Sequence, residues 1–114
     1  MAIIRITNLK LRTIIGINDW EREAQQDIII NIKIEFDETT SSETDDINDT
    51  IDYSKIEYLI KEIGELHHYK LLESLGEEIT NKIKKEFDVK KILIKINKKN
   101  ILPNTDFVGV ILER

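Results

Sequence analysis

Ile28-Ile29-Ile30-Asn31-Ile32-Lys33-Ile34-Glu35-Phe36 decides how this chain folds. Ile28, Ile30, Ile32, Ile34 and Phe36 recur at every second position, with Ile29, Asn31, Lys33 and Glu35 between them. A period of two belongs to a strand with one buried face. The acidic loop Gly16-Ile17-Asn18-Asp19-Trp20-Glu21-Arg22-Glu23-Ala24-Gln25-Gln26-Asp27 feeds directly into it. Carboxylates on a loop anchored to a rigid strand can be held where chemistry needs them. Glu21 is either such a group or a solvated surface residue.

Working outward, Ile3 to Ile15 predicts a second strand with a fault in it. Ile4 and Ile6 keep one parity, whereas Leu9, Leu11 and Ile15 keep the other. One extra residue at Thr7-Asn8, a β-bulge, restores the pattern. Glu38 to Asp52 turns polar and acidic and predicts a solvated connection. Its aspartates lack the glycine turn and closing glutamate of a calcium loop. Ser54-Lys55-Ile56-Glu57 reads as a capping box opening a helix with Ile56, Leu59, Ile60 and Ile63 on one stripe and Gly64 as its stop. Leu72, Leu75, Ile79, Ile83 and Phe87 predict a second helix over about 71–87. Lys91 to Asn97 and Phe107 to Leu112 complete the set as strands.

The order strand-strand-helix-helix-strand-strand predicts an α+β fold: an antiparallel four-stranded sheet with both helices on one face. Residues 1–114 form one domain on this reading. The other sheet face would show Ile29, Leu93, Ile111 and polar neighbours. Open sheet edges make the domain a candidate for closure by oligomerisation.

Composition excludes several functions. The net charge of −5 argues against a general nucleic-acid binder, which needs a basic face. The absence of cysteine removes disulfides, thiolate nucleophiles and cysteine zinc sites. The N-terminus lacks the pattern of a signal peptide and no apolar run reaches membrane-spanning length, so a soluble cytoplasmic protein is expected. His67-His68 has neither a third histidine nor a cysteine, so it reads as solvent-exposed and no metal is expected.

The remaining candidates each have a plain reading and a chemical one. Glu73 is a helix-start carboxylate suited to the macrodipole, or an acceptor for two parallel N–H donors of a guanine-like ring. Tyr53 is a hydrophobic staple residue, or a phenol that relays a proton. Lys98 is a solvated lysine at a strand end, or a proton-transfer group beside a carboxylate and a bound ring. On the residues alone both readings stand in each case.

Taken together the segments Leu9–Ile17, Gln26–Asn31, Asp45–Tyr53, Leu71-Leu72-Glu73-Ser74-Leu75 and Ile96-Asn97-Lys98 resemble the dihydroneopterin aldolase family, including its dihydroneopterin triphosphate 2′-epimerase branch. The resemblance covers nearly the whole chain and implies the tunnelling fold. It also implies barrel rings of four subunits stacked into a homo-octamer, with sites at subunit interfaces. Glu73 would anchor a pterin, helped by backbone groups near Leu72 and Ile51. Lys98, Tyr53 and Glu21 would move protons, with Gln26 in support. No cofactor or metal is implied, because the dihydropterin N5=C6 imine is itself the electron sink.

Departures from the family pattern bear on the branch. Ile14-Ile15-Gly16 stands where aldolases usually carry a Tyr/His-Gly pair, and Asn100-Ile101-Leu102-Pro103 replaces a Pro-Pro loop. The wording Arg12–Ile17 and Gln26-Asp27-Ile28 is closer to the epimerase branch, with Lys98, Lys99 and Arg22 available to a triphosphate. The expected activity is inversion at C2′ of the dihydropterin side chain. Release of 6-hydroxymethyl-7,8-dihydropterin by an aldolase is the alternative, and a non-catalytic pterin- or purine-binding ring protein is a further one.

Overall fold

The computed structural model describes residues Met1–Arg114. Its elements are β1 (Ala2–Thr13), α1 (Asp19–Glu23), β2 (Gln26–Phe36), α2 (Thr39–Thr44), a 3-10 turn (Ile47–Asp49), α3 (Tyr53–Leu66), α4 (Leu72–Glu86), β3 (Lys91–Lys98) and β4 (Val108–Glu113). The strands pair in the order β1-β2-β3-β4, every neighbour antiparallel.

The alternation on β2 does what its period requires. Ile28, Ile30, Ile32 and Ile34 are fully buried, and Ile92, Ile94 and Ile96 of β3 face the same side. Each such side chain contributes about 1.5–3 kcal/mol by leaving water. The helices close this face through Ile56, Ile60 and Ile63 of α3 and Leu75, Ile79 and Ile83 of α4.

The predicted bulge is present. Ile6 stands opposite Ile32 and Leu9 opposite Ile30, so Thr7 and Asn8 together face Asn31. Asn8 takes a left-handed φ of 57° and its N–H donates to Asn31 Oδ1 at 2.9 Å. Because the bulge flips the parity, Leu11 and Thr13 reach the core that Ile4 and Ile6 also face.

Three local expectations are corrected. The cap of α3 is Asp52, whose carboxylate accepts from the Ser54 N–H at 3.0 Å, so Ser54 does not open a capping box. Tyr53 is consequently the first helical residue and 65% exposed, which removes its role as a hydrophobic staple. Gly64 does not end α3, which runs on to Leu66; a Cβ there would meet Leu11 Cδ1 at 2.7 Å, so glycine allows helix and sheet to touch. The acidic connection is exposed as expected but partly helical: Asp37 just ahead of it accepts from the Thr39 N–H, and Asp46 caps the 3-10 turn by accepting from the Asn48 N–H.

Candidate active site

At the end of the sheet where β2 begins and β3 finishes, the apolar stripes are interrupted by polar side chains. Gln26 precedes Ile28 on the core-facing parity, and Lys98 follows Ile96 on the matching parity. Lys98 therefore points under the helices, not into solvent, and is 7% exposed. Burying an ammonium is costly without a counter-charge. The counter-charge is Glu21, 2% exposed, with Oε2 2.6 Å from Lys98 Nζ.

The loop reaches this position because Asn18-Asp19-Trp20-Glu21 starts a single helical turn. Asn18 caps α1, and Glu21 at the third helical position reaches back. Its Oε1 accepts from Asn18 Nδ2 at 2.7 Å and from the Asn18 N–H at 3.3 Å. Its Oε2 accepts from Lys98 and from Gln26 Nε2 at 3.1 Å, and that amide is oriented by a 2.6 Å bond to the Ile15 carbonyl. Burial alone pushes the Glu21 carboxyl up. The hydrogen bonds from Lys98, Gln26 and Asn18, with the Lys98 charge, outweigh burial and hold it below the usual carboxylate range. Glu21 is thus saturated with donors, whereas Lys98 gives one of its three N–H bonds to protein and has others to offer.

Gly16 makes the approach possible. Its φ is +130°, and a Cβ there would lie 2.2 Å from the Glu21 carboxylate. Arg22 then fixes the loop, donating to the carbonyls of Gly16, Tyr69 and His68 at 2.9–3.1 Å. The sequence reading offered Arg22, Lys98 and Lys99 to a triphosphate. Arg22 is committed to carbonyls, Lys98 to Glu21, and Lys99 lies over the Phe107 ring at 5.7 Å.

Glu21 and Lys98 line a cleft of about 310 Å³ together with Gly16, Lys70, Leu72 and Glu73, a size at the small end for ligand sites. Glu73 is the second residue of α4 and exposed, beside Leu71, whose side chain supplies no cap. The free N–H groups of that first turn and the Glu73 carboxylate together offer donors and an acceptor to a planar ring. Ile51 and Tyr53 are absent from this cleft. Thr50 borders the opposite end of the sheet, near Ala2 and Phe36, and α3 separates the two ends by about 20 Å.

Several residues that shape the site were not singled out in the sequence. Asn18 had a signal, the spacing Asn-x-x-Glu of a capping box. The clamp from Arg22 had none, because its partners His68 and Tyr69 are remote in the chain, and Lys70 had none, because the Gly16, Glu21 and Lys98 it lines the cleft with are equally remote.

A family model described as dihydroneopterin aldolase, FolB, matches residues 4–113. The chain belongs to the dihydroneopterin aldolase family. It is 34% identical over 111 residues to the dihydroneopterin triphosphate 2′-epimerase of Escherichia coli (strain K12), covering 97% of this chain and 92% of that protein. It is 29% identical over 114 residues to the dihydroneopterin aldolase of the same organism, covering 100% and 93%. The crystal structure of E. coli dihydroneopterin aldolase in complex with neopterin matches with a TM-score of 0.94 at 29% identity, over 100% of this chain and 99% of that one. The family's tunnelling fold is the four-stranded, two-helix layering described above.

Proposed function

We propose that this family member breaks and remakes the C1′–C2′ bond of a 7,8-dihydroneopterin side chain, acting chiefly as a dihydroneopterin triphosphate 2′-epimerase. The observation that carries the reading is the buried Lys98–Glu21 pair at 2.6 Å on the floor of a cleft whose rim holds Glu73. Glu73 accepts from the ring N3–H and 2-amino group, with the backbone at Leu72 beside it. Lys98 is the group placed to exchange protons with the side chain. Loss of the 2′-hydroxyl proton turns C2′–O into an aldehyde as the C1′–C2′ electrons pass to C1′=C6. N5 then takes a proton, leaving an enamine. Re-addition to the other face of a retained aldehyde inverts C2′. Its departure, followed by protonation of C1′, is the aldolase outcome.

Identity to the epimerase over nearly full length, and Ile14-Ile15-Gly16 in place of the aldolase pair, support epimerisation. Lys70 is the cation left at the cleft rim for phosphate. The close match to an aldolase fold keeps that activity as the second reading. Tyr53 and Ile51 fit the same chemistry if they serve a neighbouring subunit's cleft. β1 and β4 are both sheet edges that edge-to-edge pairing would satisfy, consistent with rings assembled into an octamer.

The test is to incubate the protein with dihydroneopterin and with its triphosphate, following both the 2′ isomer and 6-hydroxymethyl-7,8-dihydropterin. Isomer formation, faster with the triphosphate, is expected. Hydroxymethylpterin alone moves the assignment to aldolase, and no product from either substrate leaves a binding protein. Glu73→Ala should weaken pterin binding by at least a hundredfold in a fluorescence titration, since charge-assisted paired hydrogen bonds are lost. Unchanged affinity removes its anchor role.

A further inference from the structure

The sheet face turned away from the helices carries charge that the catalytic cleft does not use. Arg5 of β1 and Lys33 of β2 are direct cross-strand partners. Lys33 stands opposite Leu93 of β3, and one row further Asn31 stands opposite Lys95. Arg5, Lys33 and Lys95 line one groove of about 450 Å³ with Thr7, Asn31 and Asn97, and no carboxylate lines it. Of the other cations of this face, Arg12 is neutralised by Asp27 at 3.1 Å and Lys91 by Glu113, while Lys10 stands outside the groove opposite Ile29. Arg5, Lys33 and Lys95 enter none of the chain's ion pairs. Glu35, two positions along β2 from Lys33, stands opposite Ile3 and Lys91.

This arrangement works against stability. Like charges directly opposed on antiparallel strands bring their Cβ atoms within about 4.5–5.5 Å and repel. The chain is acidic overall, with 22 acidic against 17 basic residues, so a groove lined only by cations is a local reversal of its field. The attachment points span three strands, about 10 Å across. A single phosphate would meet one or two of the cations, whereas linked phosphates can meet all three. Thr7 and Asn97 add neutral donors. Asn31, tied to the bulge by its bond with Asn8, fixes the floor.

We propose that this groove binds a small polyphosphate anion, such as a di- or triphosphate group, on the opposite side of the sheet from Lys98. Inorganic triphosphate, titrated calorimetrically into the intact protein and followed by thermal denaturation, is the probe. Saturable binding and a raised Tm are expected, with affinity at least tenfold weaker in Arg5→Ala, Lys33→Ala and Lys95→Ala and unchanged in Lys84→Ala on the exposed side of α4. Lys33→Ala should also raise the Tm of the unliganded protein, by relieving repulsion, and leave turnover untouched. The proposal is overturned by absence of binding, or by binding that survives the three groove substitutions. Loss in Lys84→Ala, affinity no greater than for orthophosphate, or binding of duplex DNA alone would overturn it equally.

Discussion

Lys98→Met should lower turnover of the dihydropterin substrate by about a hundredfold or more, the usual worth of a positioned proton-transfer group. It should also destabilise the fold, because the partner left behind is a buried carboxylate. Breaking such a pair from one side costs about 3–5 kcal/mol. The pH dependence separates the two effects. In the parent protein Glu21 titrates below its unfolded value, so its contribution to stability is complete above that value. It is lost as pH falls through the lowered folded pKa. Without Lys98, burial dominates and raises the carboxyl, reversing the sign: the variant should gain stability relative to the parent as pH falls from neutral into the mildly acidic range. Denaturant melts from pH 4 to 8 beside a turnover assay would show both. A variant that keeps full turnover removes Lys98 from the chemistry. A variant whose stability gap does not narrow in acid removes the buried ion pair.

Gly16→Ala has the second large effect, through a residue with no functional group. A methyl there lies 2.2 Å from the Glu21 carboxylate, and the φ of +130° is strained for any L side chain. The carboxylate must leave Lys98, so turnover should fall about as far as in Glu21→Ala. The strain adds about 1–3 kcal/mol of destabilisation. The two lesions act on one pair and should not add: Gly16→Ala/Glu21→Ala should be no less active than Glu21→Ala alone. Additive losses would mean that Gly16 acts elsewhere, for example on substrate directly.

Much of the fold was legible because it rests on periodicity. The alternation of Ile28 to Phe36, the parity switch at Thr7-Asn8 and the helical stripes each report which side of an element meets the core. The site was legible in outline for the same reason: continuing the stripes Ile92-Ile94-Ile96 and Ile34-Ile32-Ile30-Ile28 by two residues lands on Lys98 and Gln26. Read that way, the parity already says that Lys98 faces inward. Helix boundaries were less legible, because Asp52 and Ser54 are both good caps and only the backbone entry into α3 decides between them.

The sequence by itself determined the order of the four strands and two long helices and their buried faces, and it grouped Glu21, Glu73 and Lys98 in one family-like pattern, but not the short helices of the two connections. Only the tertiary structure decided that Glu21 is buried and not solvated. That outcome depends on a carboxylate and an ammonium 77 positions apart meeting at 2.6 Å, and no local pattern encodes such a distance. It decided likewise that Arg22 holds carbonyls across the chain. It also set Tyr53 a helix length from its own cleft. These facts follow from which ends of packed elements coincide, and packing fixes that only once the whole sheet and both helices are in place.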